Sequence, residues 1–188
     1  MLLLHEGWWQ KKRQSELERR YAGLKRRAEV LQENTRWFIQ KADEWAHRDS
    51  LTGLYNFKGF QLKLRQMWRS RSPFVVLLLD VVSFSEMNAS MGRDAGDKML
   101  RHIADMLTKE MPDDAILSRY VGDKFAAAFT FEEKSEVEKT IRSLTERLMH
   151  PQPYPLRYCA GMAIYPQDGQ TMEDIINVAE KRLANMQR

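Results

Sequence analysis

With 188 residues, 43% of them hydrophobic and 30% charged, the chain suits one compact domain plus an extended segment, and two full domains are excluded. The single cysteine, Cys159, excludes an internal disulfide, and no apolar run is long enough to cross a bilayer, so the sequence predicts a cytoplasmic protein with no signal peptide and no membrane span. The basic excess lies in the first 50 residues, with 11 Lys plus Arg against 8 Asp plus Glu, while the rest is near neutral, which argues against a nucleic-acid partner.

A long helical segment opens the chain. Mostly apolar residues recur in alternating steps of four and three over about four heptads, a period typical of a coiled coil. This set, called the heptad seam below, is Leu17, Tyr21, Leu24, Ala28, Leu31, Thr35, Phe38, Ala42 and Trp45. No proline interrupts it, so we expect a helix over residues 9–47 that pairs with a second copy as a parallel dimeric coiled coil. The alternative is an amphipathic helix that packs on its own domain.

The folded domain follows a cluster of cap and turn residues at 49–56, which divides the chain into a helical stalk of residues 1–48 and a domain of residues 49–188. The predicted elements are a helix from Phe57 to Trp68, a strand from Phe74 to Leu79, a helix around Met99 to Leu107, strands from Ala115 to Arg119 and from Phe125 to Phe131, a helix from Val137 to Leu148, a strand from Tyr158 to Tyr165 and a helix from Met172 to Met186. This order predicts an α+β fold, a ferredoxin-like palm whose central sheet contains antiparallel strands.

Two carboxylates are placed to meet at one end of the predicted sheet. Asp80 follows the buried strand, and Asp123 lies on the turn of the hairpin that can pair beside that strand. Two such oxygen ligands can hold Mg²⁺, which also bridges substrate phosphates. The alternative is that a carboxylate at a strand end only caps the next turn.

Four blocks of residues keep the spacing of one known family. They are Asp49, Leu51, Thr52, Gly53, Leu54 and Asn56; then Asp80, Phe84, Asn88, Gly92, Gly96, Asp97 and Leu100; then Arg119, Gly122, Asp123 and Phe125; and last Gly161, Ala163, Tyr165, Pro166 and Gly169. In these blocks the chain resembles the GGDEF family, the bacterial diguanylate cyclases, from about residue 49 to residue 186. The resemblance implies the palm of the nucleotide cyclases, here preceded by a long coiled-coil helix.

The resemblance also implies roles for particular residues. Asp80 and Asp123 would be ligands of Mg²⁺, with the backbone carbonyl of Val81 as a third. Asn88 and Asp97 would recognise the guanine edge of GTP, because an amide and a carboxylate match its acceptor and its donors. Gly122 would belong to the nucleotide-binding hairpin. The alternative for Gly92 and Gly96 is that they only permit the turn between them. The alternatives for Asn88 and Asp97 are a loop cap and an acid in the first turn of a helix.

The departures from the family pattern fall on catalysis. Lys124 replaces the acidic residue that helps to activate the attacking 3′-hydroxyl, and a charged ammonium cannot act as a base and opposes a metal ion nearby. Val121 replaces a glycine and is expected to crowd the place where substrate approaches the backbone. Ser85 and Val82 stand where the family has Lys and a second Asp, and Gln187 lies near the position of a phosphate-binding Lys. We therefore expect a weakened Mg²⁺ site and no catalytic activity.

Three functions remain open at the level of sequence. The first is a degenerate GGDEF homodimer that serves cyclic-di-GMP signalling as a regulatory or guanine-nucleotide-sensing module, with a protein partner that the sequence does not identify. The second is an active diguanylate cyclase, which joins two GTP molecules. The third is a coiled-coil scaffold that binds no nucleotide. A further alternative within the first has Lys124 contacting a phosphate, so that nucleotide binds without turnover.

Overall fold

The computed structural model describes residues 2–149 and 157–187. The helices and strands, in chain order, are α1 Leu2–Ala46, α2 Phe57–Arg69, β1 Phe74–Val82, α3 Phe84–Met91, α4 Arg93–Glu110, β2 Ile116–Val121, β3 Lys124–Thr130, α5 Lys134–Met149, β4 Arg157–Tyr165 and α6 Met172–Met186. The chain divides into two units, one that ends at Glu44 and one that begins at Trp45.

The first unit consists of most of α1. Seam residues along this helix are exposed, with 60% of Leu17, 63% of Leu24 and 65% of Leu31 accessible to solvent. The polar seam residue Thr35 satisfies its hydroxyl within the helix, because its Oγ1 donates to the carbonyl of Leu31 at 2.7 Å. None of the helices in the described part of the chain combines the length and the apolar character needed to cross a bilayer.

The second unit is built on a four-stranded antiparallel sheet in the order β2-β3-β1-β4. Strand β1 is a nearly continuous apolar run with neighbours on both sides, which suits a strand that is buried on both faces. Alternate residues of β1 face two separate cores. Val75, Leu77 and Leu79 pack with α4 and α5, while Phe74, Val76 and Leu78 pack with α2 and α6. The predicted α+β palm, preceded by a long helix, is confirmed.

Helix α6 lies close against β4. Gly161 makes this approach feasible, because a Cβ at that position would collide with the backbone carbonyl of Ala179. Thr171 begins the helix with a capping box, in which its side chain accepts from the N–H of Asp174 and the Asp174 side chain accepts from the N–H of Thr171. At the other end of α6, Gln187 reaches β1, where its amide donates to Asp80.

Three local features differ from the predictions. Residues 84–91 form a separate helix, α3, which was not predicted, and Gly92, with φ +84°, divides it from α4. Gly96 was predicted to permit a turn and lies inside α4, where a Cβ would collide with the side-chain oxygen of Asn88. Asp80 was expected after the strand and lies within it, since β1 continues to Val82.

Candidate functional site

The turn at residues 49–56 fastens the beginning of the domain to the β2–β3 hairpin. Asp49 accepts hydrogen bonds from the backbone N–H and the hydroxyl of Thr52 at 2.9 and 2.8 Å. The backbone of Tyr55 bonds to β2, donating to the carbonyl of Leu117 at 3.0 Å and accepting from the N–H of Arg119 at 2.9 Å. Arg119 Nη1 lies 3.3 Å from Asp49 Oδ2. The first block of matched residues therefore fixes the base of the hairpin.

Gly122 and Asp123 form the two-residue tip of that hairpin. Gly122 has φ +62°, a conformation that favours glycine, and its carbonyl accepts a hydrogen bond from Arg119 Nε at 2.7 Å. Val121, at the end of β2, is 60% exposed. Its side chain lines a small cleft of about 320 Å³ between the hairpin and α6, together with Lys124 and Gln187.

Asp80 and Lys124 are direct partners in the antiparallel pairing of β1 with β3. The Asp80 residue is 8% exposed, and Lys124 Nζ lies 3.5 Å from its Oδ2. The amide of Gln187, just beyond α6, donates to the same oxygen. Asp80 Oδ1 is buried and has no hydrogen-bond partner among the described residues. One carboxylate oxygen is therefore held by two donors from the chain while the other has none.

Asp123, on the hairpin turn, lines the same cleft as Asp80. Burial raises the pKa of Asp123 above its ordinary value of 3.8, and the Asp80 carboxylate raises it further. A hydrogen bond from its own backbone and the charges of Lys124 and Arg119 lower the pKa of Asp123 and offset part of the rise. The structure thus brings together the two carboxylates that the sequence predicted to meet.

The main cleft at this end of the sheet has a volume of about 640 Å³. Its lining consists of Asp80, Val81, Val82, Ser83, Phe84, Ser85, Glu86, Asp123, Arg157, Tyr158, Cys159, Met186 and Gln187. Val81, whose carbonyl was predicted to bind metal, is 2% exposed and pairs with Tyr158 in β4. Ser83 has φ +61° and its side chain makes no capping hydrogen bond to α3, whose first residues, Phe84, Ser85 and Glu86, line the cleft.

The two residues predicted to recognise guanine are not among those lining the main cleft. Asn88 lies in α3, half-buried, and its side-chain oxygen is buried without a hydrogen-bond partner among the described residues. Asp97 is exposed on α4, next to Gly96. The absence of a Cβ at Gly96 is what gives the Asn88 amide its room. Their roles in recognising guanine stay predictions.

Arg157 and Tyr158 line the main cleft and were not singled out from the sequence. Arg157 supplies a cation at a site whose family cations are missing. The hydroxyl of Tyr158 is buried without a hydrogen-bond partner among the described residues, and burial raises the pKa of Tyr158 to about 12. The sequence signal that could have found Arg157 is its position as a basic residue at the start of β4, which pairs with β1, the strand that contains Asp80.

The residues at Asp80 do not fit a divalent cation in this arrangement. A metal ion needs free oxygen ligands, whereas Asp80 Oδ2 already accepts from Lys124 and Gln187. The ammonium of Lys124 also repels a second cation at such short range. Within residues 2–149 and 157–187, no three His, Cys, Asp or Glu side chains are grouped so as to hold a metal ion.

The palm fold, the strand-end carboxylates and the hairpin define a domain of the nucleotide-cyclase class. A family model described as “Diguanylate cyclase, GGDEF domain” matches residues 46–188, and the chain belongs to that family. Among curated proteins, the chain is similar to the cyclic di-GMP phosphodiesterase NbdA of Pseudomonas aeruginosa, with 25% identity over 72% of this chain and 18% of NbdA. It is also similar to the “Probable diguanylate cyclase DgcT” of Escherichia coli, with 27% identity over 73% of this chain and 33% of DgcT. The chain therefore spans only a minor part of each relative.

Solved structures agree on the fold. The GGDEF domain of TpbB, also called YfiN, from Pseudomonas aeruginosa superimposes with a TM-score of 0.68 at 24% identity, over 76% of this chain and 89% of that one. The coiled coil and GGDEF domain of DgcB from Caulobacter crescentus, in complex with c-di-GMP, gives a TM-score of 0.73 at 23% identity, over 89% and 92%.

The raised pKa of Asp123 predicts a pH-dependent effect of its charge on stability. Burial makes the ionised form of Asp123 less favourable in the folded state than in the unfolded state. The free energy of unfolding therefore falls as pH rises from the pKa of the unfolded chain, about 3.8, through the raised pKa of the folded state. Asp123→Asn removes that penalty, and we expect a variant that is more stable at pH 7 by less than about 1 kcal/mol, because a half-exposed site is screened. Urea unfolding at pH 7 and pH 3 measures the difference, which vanishes at pH 3. Asp113→Asn, an exposed acid of the same domain, is the control, and a less stable Asp123→Asn at pH 7 would contradict the expectation.

Proposed function

We propose that the chain is a GGDEF module of cyclic-di-GMP signalling that does not convert GTP and acts as a regulatory or guanine-nucleotide-sensing partner. The observation that carries this proposal is the position of Lys124. Its ammonium lies 3.5 Å from Asp80 Oδ2, at the place where the family signature has an acidic residue.

The chemistry of an ammonium explains why turnover is lost. Joining two GTP molecules requires a 3′-hydroxyl to lose its proton as it attacks an α-phosphate, and a proton acceptor contributes about 10²–10⁴-fold to such a step. Lys124 is a proton donor while charged, and Asp80, the nearest carboxylate, is already bonded to it. Asp123 is another carboxylate on the cleft, and burial, followed by the Asp80 carboxylate, disfavours its ionised form and raises its pKa.

Binding without turnover is supported by the shape and charge of the main cleft. Its volume of about 640 Å³ lies within the range of small-molecule sites. Arg157 and the first amides of α3 can meet the negative charge of a phosphate. The unpartnered Asn88 oxygen is a second polar group that a base could satisfy, although it lies outside the cleft lining. Phosphate contact by the chain's own groups suits a site without a strongly held metal.

A homodimer through α1 is supported by the exposed heptad seam. Leu17, Leu24 and Leu31 are more than half exposed, and burying such leucines against a second copy is favourable. The solved DgcB structure, which covers 89% of this chain, contains a coiled coil next to its GGDEF domain. A protein regulator is also consistent with relatives, since the diguanylate cyclase SiaD of Pseudomonas aeruginosa was solved with its activator SiaC and its fold covers the whole of this chain.

Turnover of GTP is the direct test of the proposal. We expect purified protein with GTP and Mg²⁺ to make cyclic-di-GMP at least about a hundredfold more slowly than an active GGDEF cyclase, because the proton acceptor is missing. The double variant Lys124→Glu with Val121→Gly should exceed the wild type if these two residues block the reaction. Lys139→Glu, the same charge change on exposed α5, is the matched control. An ordinary rate of synthesis by the unmodified chain, followed by chromatography, contradicts the proposal.

Nucleotide sensing is tested separately by calorimetric titration with GTP. We expect measurable binding by the wild type and a loss of about tenfold in Asn88→Ala, the typical effect of one buried hydrogen bond. Gly96→Ala should weaken binding similarly, because its Cβ pushes the Asn88 amide aside. Asn177→Ala, an exposed asparagine on α6, should bind as the wild type does. No heat with the wild type would contradict nucleotide sensing and favour the scaffold.

The dimer is tested by substitution on the seam. Leu24→Glu places a charge in the predicted interface, and we expect the protein to shift from dimer to monomer in sedimentation velocity. Arg26→Gln changes the net charge by the same amount on the opposite side of the helix and should leave the dimer intact. A wild type that sediments as a monomer at micromolar concentration would show that α1 does not pair.

A further inference from the structure

Asp80 needs a positive neighbour whether or not any ligand is bound. Its residue is 8% exposed, and it lies within β1 between two hydrogen-bonded strands. An ionised carboxylate in such a place is strongly destabilised unless it is paired. In many sites of this kind a divalent ion supplies the opposite charge, but here the chain itself provides a cation and an amide.

Lys124 borders a different cleft from Asp80. Asp80, Asp123 and Gln187 line the main cleft, and Lys124 is absent from that lining. Lys124 instead lines the smaller cleft between the hairpin and α6, which it shares with Gln187. The ammonium therefore balances the charge of Asp80 without itself lining the main cleft.

The backbone holds this pair in place. Lys124 begins β3 directly opposite Asp80, and the next pairs along the two strands, Leu79 with Phe125 and Leu78 with Ala126, are buried. Gln187 closes the arrangement from the end of α6 by donating to the same oxygen. Lys124 cannot withdraw without leaving a buried carboxylate with only a neutral donor.

We propose that Lys124, assisted by Gln187, is the resident counter-charge of Asp80, so that the site works without a divalent cation. A metal ion arriving at Asp80 would meet a positive charge within a few ångströms and an oxygen already in use. Removing the ammonium frees Oδ2 beside the partnerless Oδ1, and the two carboxylates Asp80 and Asp123 can then attract a cation. The inference rests on the proposed function, because a domain that binds nucleotide without converting it can retain such a site without a metal ion. Its test uses the metal ion alone and therefore does not depend on nucleotide binding.

The test is a titration with Mn²⁺, a paramagnetic substitute for Mg²⁺, followed by electron paramagnetic resonance without nucleotide. We expect the wild type to show no Asp80-dependent binding below about 1 mM, the weak end of protein sites for hard cations. Lys124→Met should bind at least about tenfold more tightly, because the repelling charge is gone. Lys139→Met, on exposed α5, should match the wild type, and adding Asp80→Asn to Lys124→Met should abolish the gain.

Two results would overturn the inference. One is submillimolar binding of Mn²⁺ by the wild type that disappears in Asp80→Asn, because a metal ion would then bind beside Lys124. This measurement does not depend on whether a Lys124 variant folds. The other is a folded Lys124→Met or Lys124→Gln, verified by circular dichroism, with no gain in affinity. A wild type that binds no GTP but behaves as expected with Mn²⁺ contradicts only the nucleotide-sensing function, so the two failures are distinguishable.

Discussion

The register between β1 and β3 is the constraint on which the rest of the domain depends. It sets Asp80 opposite Lys124, and because side chains alternate along a strand, a shift of β1 by one residue would turn Asp80 to the face of the sheet away from Lys124. The same shift would exchange the sets of β1 residues that face α4 and α5 with those that face α2 and α6. Burial on both faces of β1 therefore fixes the charge pair as firmly as it fixes the core.

Charge at the end of the sheet decides what the site can do. Burial, and to a smaller extent repulsion by the Asp80 carboxylate, raises the pKa of Asp123, and an enzyme that uses metal ions relieves such repulsion with the metal. Lys124 relieves part of it with a single positive charge that belongs to the chain. A single charge stabilises the carboxylates, but it offers no open coordination position to a phosphate and no base to a hydroxyl. This is the physical ground of the proposal that the domain binds a ligand without transforming it.

The sequence predicted the elements well wherever apolar periodicity was long and uninterrupted. The bounds of α6 were predicted to the residue, β4 was placed within one residue and β1 within three, because each shows a clear pattern next to turn residues. Helix α3 was not predicted because none of its eight residues is fully buried. It therefore has no periodic apolar face that the sequence could reveal. The bond from Gln187 to Asp80 joins residues 107 positions apart, and the entry of Arg157 into the cleft depends on the pairing of β4. Neither leaves a local pattern that periodicity could reveal.

The residues that hold the hairpin in its conformation differ from the residue that sets the charge beside Asp80. The hairpin can therefore keep its conformation while that charge changes. The hairpin is fixed at its base by the pairing of Tyr55 with β2 and by the contact of Arg119 with Asp49, and at its tip by the bond from Arg119 to Gly122. None of these contacts involves the side chain of residue 124. A change from an acid to Lys124 therefore alters the charge beside Asp80 without removing any support of the hairpin. A domain built in this way can lose a reaction and still present the same surface to a nucleotide, a second copy or a protein regulator.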